Sequence, residues 1–350
     1  MMPAQCHLVN PIEEKCRWDS LIVHFPDASF FHSSAWAAAL IKSYSFKPFY
    51  CVWIDNDKPC AIIPILQTKT LLGKRRGVSI AFSDSCEPLY NNPEEFRRAF
   101  EGLVEIGRDN KWDSIEIRGG AKVLGAEPYF QKIYTHDINL GLAEKEIFES
   151  FRDSTKRNIR NAKKQDVEIS HSTTVEALRE FYRLNCLTRR GHGIPPQPWK
   201  FFCNLQANAF QHDKGFVTLA SHKGVVIAAN LYLLHGTKAI YKYGASDRKY
   251  QHVRPSNIVM WEGIRKCRER GCTTLNLGRT EFHHEGLLQF KRGFGSKETT
   301  INYYRYDLSN NRFVSCSAEN RMMGLASRVM SRLPIPLLKL AGLVLYKYVG

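Results

Sequence analysis

Runs of β-branched and aromatic residues, broken by short polar turns, predict two β-hairpins. The first pairs residues 49–54 with 61–66 across the turn Asp55-Asn-Asp-Lys58. The second pairs 216–220 with 225–234 across His222-Lys-Gly224, and a further strand at 239–244 follows the turn at Gly236-Thr237. Residues 144–164 switch to a helical period. Phe148, Phe151, Ile159 and Ala162 make its apolar face, while Arg152, Lys156, Arg160, Lys163 and Lys164 recur on another. That helix opens a second half, so the pattern places a domain boundary near Gly141.

The halves resemble each other. Lys58 and Lys223 each sit in a turn that opens an apolar strand. Arg108-Asp-Asn-Lys-Trp-Asp-Ser-Ile-Glu-Ile and Arg268-Glu-Arg-Gly-Cys-Thr-Thr-Leu-Asn-Leu each read as helix end, turn and strand. So long a period indicates a duplicated domain rather than a solenoid. The expected fold is α/β, two tandem domains with mixed, mainly antiparallel sheets. They span 1–141 and 142–318, and a basic amphipathic tail at 319–350 packs on the first.

Charge changes the picture more than composition does. Fifty Lys and Arg against 34 Asp and Glu give a net +16, which favours an anionic or phosphorylated partner: nucleic acid such as tRNA, a phosphorylated carrier or an anionic membrane. With 43% hydrophobic residues the chain is globular, not disordered. Ten cysteines without a CxxC pair suit a reducing cytoplasm rather than a disulfide framework. No signal-peptide pattern opens the chain. Leucines interleaved with Arg332, Lys339 and Lys347 over 331–349 suit a peripheral contact with the inner membrane face.

Several segments, in order, resemble one family. These are Phe31-His-Ser-Ser-Ala-Trp36, Val78-Ser-Ile-Ala-Phe-Ser-Asp84 with Glu87-Pro-Leu89, Ile115-Glu-Ile-Arg118 and Lys156-Arg-Asn-Ile-Arg160-Asn-Ala. Tyr241-Lys-Tyr-Gly-Ala-Ser-Asp247, Pro255-Ser-Asn257, Leu277-Gly-Arg279 and Gly286-Leu-Leu-Gln-Phe-Lys-Arg-Gly-Phe-Gly295 follow. The chain is similar to the Fem-like double-GNAT transferases, their exopolysaccharide-locus relatives and the BioF2/CelD-like acetyltransferases. Where the family carries a glycine pair after the Asp84 loop, this chain has Ser85-Cys86-Glu87. The resemblance implies acyl or aminoacyl transfer onto an amine or hydroxyl of a cell-envelope precursor or polysaccharide component. The donor is acyl-CoA or aminoacyl-tRNA. It also implies that Lys291 handles the donor.

The residues themselves supply further candidates. Glu285 joins Lys291 and, as the resemblance implies, Asp84 in the catalytic set. Glu281, His283 and His284 remain alternatives to Glu285 as general base. Arg118 ends a strand, where ligand crevices form. Lys156 and Arg160 lie one helical turn apart, and Tyr241 and Tyr243 alternate onto one strand face. Arg254, Asn257 and Arg279 complete the substrate-binding set, with Arg254 and Asn257 at a helix N-terminus suited to phosphate. The loop 247–257 contains no glycine, which weighs against a CoA pyrophosphate and toward aminoacyl-tRNA. His283 and His284, as sequence neighbours, are expected to point apart, so no metal is expected. Phe290 and Phe294 are expected to be buried while Lys291 projects away, so replacing Lys291 should cost activity and not folding. Rival readings are an acyl-CoA-dependent N-acetyltransferase acting on a small amino sugar and a non-enzymatic basic module of a polysaccharide assembly system.

Overall fold

The computed structural model describes residues 5–55, 58–315 and 323–348. Asn56 and Asp57, at the tip of the first predicted hairpin, and Val349 of the tail lie outside them. Contacts divide the chain into two compact units, one within 1–133, 301–319 and 344–350, the other within 134–300 and 320–343.

The first unit runs β1 (Gln5–Val9), α1 (Lys15–Ile22), α2 (Ser34–Tyr44), β2 (Lys47–Asp55), β3 (Lys58–Lys69), β4 (Arg75–Val78), β5 (Leu89–Tyr90), α3 (Pro93–Asp109), β6 (Ser114–Arg118) and α4 (Ala121–Leu124). Strands β1 to β4 pair antiparallel in sequence, and β6 joins β4 in parallel. Helix α3 starts where the Asn92 side chain accepts from the amides of Glu94 and Glu95, with Pro93 at the first helical position. Its Phe96, Ala99, Phe100, Leu103 and Val104 repeat at helical spacing and pack with Trp53, Ile63, Trp112 and Ile115.

The second unit takes up the chain within β7 (Gln131–Asn139). There follow α5 (Glu144–Glu149), α6 (Asp153–Lys164), β8 (Glu168–Ser172), α7 (Val175–Gly191), α8 (Trp199–Asn208), β9 (Gly215–His222), β10 (Val225–His235) and β11 (Lys238–Ser246). Then come α9 (Pro255–Glu269), β12 (Thr274–Asn276) and α10 (Glu285–Arg292). Within β13 (Lys297–Asp307) the chain passes back to the first unit, where Tyr303 to Asp307 pair with β6, and β14 (Arg312–Val314) pairs with β13. Helices α11 (Met323–Arg332) and α12 (Ile335–Leu345) end the described chain. The strands of the second unit lie in the order β7-β12-β11-β10-β9-β8, antiparallel except for β11 beside β12. At the β9–β10 hairpin Lys223 and Gly224 both adopt positive φ, the twist a two-residue turn requires.

Three expectations change. The division falls at 133/134 rather than near 141, because β7 stays hydrogen-bonded to β12 as far as Asn139. The tail divides too. Up to Leu343 it belongs to the second unit, where Gly342 lets α12 close on the Pro196 carbonyl, while Tyr346 stacks near Tyr44 and Phe82 of the first. The helix expected over 144–164 breaks at 150–152. Phe151 turns into the core against Trp261 and Phe294, and the Arg152 amide donates to Gly293 instead of continuing the helix. No described helix is long and apolar enough to cross a membrane.

Candidate functional site

The second unit opens a cleft in the middle of its sheet. Strands β11 and β12 pair only from Lys238 to Ile240 and from Thr274 to Asn276. Beyond that point β11 continues along β10, while the other chain turns at Gly278 (φ +73°) and bridges to Tyr134 of β7 through Thr280. The strands therefore diverge. The gap is a pocket of about 170 Å³ lined by Thr188, Asn230, Tyr241, Gly244, Ser256 and Phe290, among others.

Tyr241 reaches across this pocket. A Cβ on Gly244 would lie 1.7 Å from its hydroxyl oxygen and 3.2 Å from Asn230 Oδ1, so glycine is what leaves room for both groups. Burial pushes the phenol of Tyr241 up, which keeps it a proton donor at neutral pH. Helix α9 begins beside it. Arg254 holds the preceding position at φ +55°, Pro255 supplies the first turn, and no side chain caps the helix. Ser256, in the first turn of α9, lines the pocket, so the amide end of the helix borders it, a setting that attracts anionic groups.

Around the same strands, α10 closes one side. Lys291 is buried, 2% exposed, and its Nζ donates to the carbonyls of Gly278 (2.8 Å) and Arg279 (3.1 Å). It does not project away as expected. The helix ends against Ser150 and Thr155, which turns this position inward and fixes the 278–279 bend instead. Glu285, at the start of α10, and the Arg279 side chain are exposed, and Asn257 sits inside the first turn of α9.

Other expected groupings do not form. Tyr241 and Tyr243 lie on opposite faces, because a bulge in β11 inserts Lys242 between them. Tyr241 packs near Tyr232, whereas Tyr243 bonds Gln197 among Phe181, Phe201 and Phe202 of α7 and α8. Lys156 is held by Glu149 and Asp153, both at 3.2 Å, and Arg160 lies over Phe148. They do not converge on one ligand. His283 and His284 do not point apart: their ring centroids are 4.3 Å from each other, and with Glu281 they bring three ligand atoms within 4.8 Å.

In the first unit, Asp84 and Arg118 do come together. The Tyr303 hydroxyl donates to the Asp84 carbonyl (2.6 Å) and the Arg118 guanidinium sits over the same ring. Arg118 also pairs with Glu116 (3.1 Å), which Arg305 holds from the other side (2.8 Å). Burial raises the Glu116 carboxyl, but the charges of Arg118, Arg305 and Arg76 outweigh it and hold it low.

One cluster has no local signature in the sequence. His136 of β7, fully buried, bonds Glu298 at 2.9 Å across 162 residues of chain, and Arg292 grips the same carboxylate through two 2.8 Å bonds. A carboxylate only accepts, so Nε2 carries the proton and Nδ1 presents a lone pair. That Nδ1 has no partner among the described residues. Burial first, and then the charge of Lys291, push the His136 pKa down. The unfolded chain therefore binds the proton at higher pH than the folded one. Stability from a neutral His136 is complete above the unfolded value of about 6.5 and is lost as pH falls through it toward the folded value. The melting temperature is expected to drop between pH 7.5 and 5.5, and His136→Asn should flatten that slope. An equal slope in both proteins would show that His136 is not the titrating group.

Comparison with known proteins concerns the fold that carries this cleft. Residues 149–292 match the family model of the Acetyltransferase (GNAT) domain. The lipid II:glycine glycyltransferase of Staphylococcus epidermidis is 29% identical over 97 residues, 26% of this chain and 23% of that protein. Its namesake in Staphylococcus haemolyticus is 33% identical over 99 residues, 26% of this chain and 24% of that protein. The match thus spans about a quarter of these relatives. Over 85% of this chain and 96% of its own, the crystal structure of FemX superposes with a TM-score of 0.68 at 14% identity. A tandem GNAT protein from the clavulanic acid biosynthesis pathway covers 87% of this chain and 99% of its own with a TM-score of 0.54 at 8% identity. At those identities the likeness is one of fold.

Proposed function

We propose, for a chain that belongs to the Fem-like group of GNAT proteins, that it transfers an aminoacyl group to an amine of an anionic cell-envelope precursor. The observation that carries this reading is the divergence of β11 and β12 beside the open end of α9, inside the segment that matches the GNAT domain. The acceptor nitrogen attacks the donor carbonyl, a C–N bond forms and the donor's ester C–O bond breaks. The Tyr241 phenol, kept protonated by burial, gives its proton to the departing oxygen and takes back the proton that the acceptor nitrogen loses as the amide forms. The amide end of α9 holds a donor phosphate. Lys291 positions the bend at 278–279 that walls the cleft.

Two observations support the aminoacyl donor: the glycyltransferase names of the relatives and the absence of glycine from 247–257. The match to an acetyltransferase domain favours a second reading, acyl-CoA as donor. The purified protein is to be given radiolabelled glycyl-tRNA or acetyl-CoA with lipid II or glucosamine as acceptor. Label on lipid II from glycyl-tRNA, lost in Tyr241→Phe, supports the main reading. Label on glucosamine from acetyl-CoA supports the second. Discharge of neither donor would refute both.

A further inference from the structure

A second cavity lies away from this cleft, on the face of the second unit where α12 crosses α7 and α8. It encloses about 870 Å³, within the roughly 300–1,000 Å³ typical of ligand sites. Tyr182, Trp199, Leu340 and Leu343 contribute to an apolar lining, and Arg179 and Lys339 stand among them. Lys339 lies 5.0 Å over the Tyr182 ring. Neither cation meets a carboxylate among the described residues. Helix α12 buries Leu338 and Gly342 in docking, yet leaves Leu337 52%, Leu340 57% and Leu343 48% exposed beside the cavity.

Charge selects the occupant. Residues 323–348 contain Arg328, Arg332, Lys339 and Lys347 and no Asp or Glu. A water-soluble ligand in the groove would leave the three outer leucines unaccounted for. A bilayer accounts for them, because a helix lying in the interface buries leucines while its cations meet lipid phosphates. We infer that this groove and the outer face of α12 form a docking site for an anionic phospholipid membrane. One acyl chain enters between α7 and α12, and its phosphate lies against Arg179 and Lys339. The inference stands apart from the transfer reaction, and its failure would leave that reading untouched.

Five of the six tryptophans, Trp18, Trp36, Trp53, Trp112 and Trp261, are buried, and Trp199 in the groove is the partly exposed one. This makes it a probe. The full chain is to be mixed with vesicles of phosphatidylglycerol or phosphatidylcholine carrying brominated acyl chains, following sedimentation and tryptophan fluorescence. Binding is expected to phosphatidylglycerol only, with quenching that disappears in Trp199→Phe although that variant still sediments. Lys339→Glu should weaken binding roughly tenfold or more with an unchanged thermal melt. Equal sedimentation with both lipids, sedimentation without Trp199 quenching, or Lys339→Glu binding like wild type would each overturn the inference.

Discussion

Replacing Lys291 with Met is expected to lower stability by about 3 kcal/mol and turnover by about a hundredfold. Met matches the length of Lys but donates nothing, so the carbonyls of Gly278 and Arg279 lose a buried ammonium at 2.8 and 3.1 Å. A charge-assisted bond is worth about 1.5–3 kcal/mol, and the two losses are partly offset because no ammonium need then be desolvated. The 278–279 bend follows β12 at the point where it parts from β11, so loosening it shifts one wall of the cleft. Misplacement by about an ångström is enough for a hundredfold loss. Arg292→Ala is the control. It removes a solvent-screened pair with Glu298, so stability should change little. Urea unfolding and steady-state turnover below the transition separate the outcomes. An inactive Lys291→Met protein with the wild-type urea midpoint would mean that the ammonium acts on the donor directly.

Gly244→Val is expected to remove activity by a hundredfold or more while costing about 1–3 kcal/mol of stability. The first added carbon falls 1.7 Å from the Tyr241 oxygen and 2.8 Å from its Cζ, so the ring must swing out of the pocket. Two further methyl groups then occupy space that totals about 170 Å³. Gly244→Ala tests the cause. In wild type it should displace the hydroxyl, whereas in a Tyr241→Phe background the oxygen is gone, only the ring carbon at 2.8 Å stands in the way, and the same change should cost less stability. The two substitutions are therefore expected to be non-additive. If Gly244→Ala alone leaves turnover within about twofold, the reaction takes place elsewhere.

Features that depend on near neighbours in the chain were legible from the residues. The hairpins 49–66 and 216–234 form β2–β3 and β9–β10, because strand patterning and turn chemistry are both local. The ordered motifs led to the GNAT fold, and Tyr241 lies in the cleft. Other candidates had sound local reasons that tertiary structure overrode. Alternation placed Tyr241 and Tyr243 together, but it holds only while the register is unbroken, and one inserted residue, Lys242, reverses it. Helical spacing aligned Lys156 with Arg160, but cannot show that Glu149 and Asp153 already neutralise the lysine.

Residues a few positions apart were enough for the hairpin strands within 49–66 and 216–234 and for the turn at Lys223-Gly224, and composition alone gave the basic balance. Tertiary contacts alone turned Lys291 inward, brought His136 to Glu298 and set Lys339 of α12 over Tyr182 of α7. Those contacts join residues 12 to 162 positions apart, and their pairing is selected by which buried charges and carbonyls find partners once the sheet has formed.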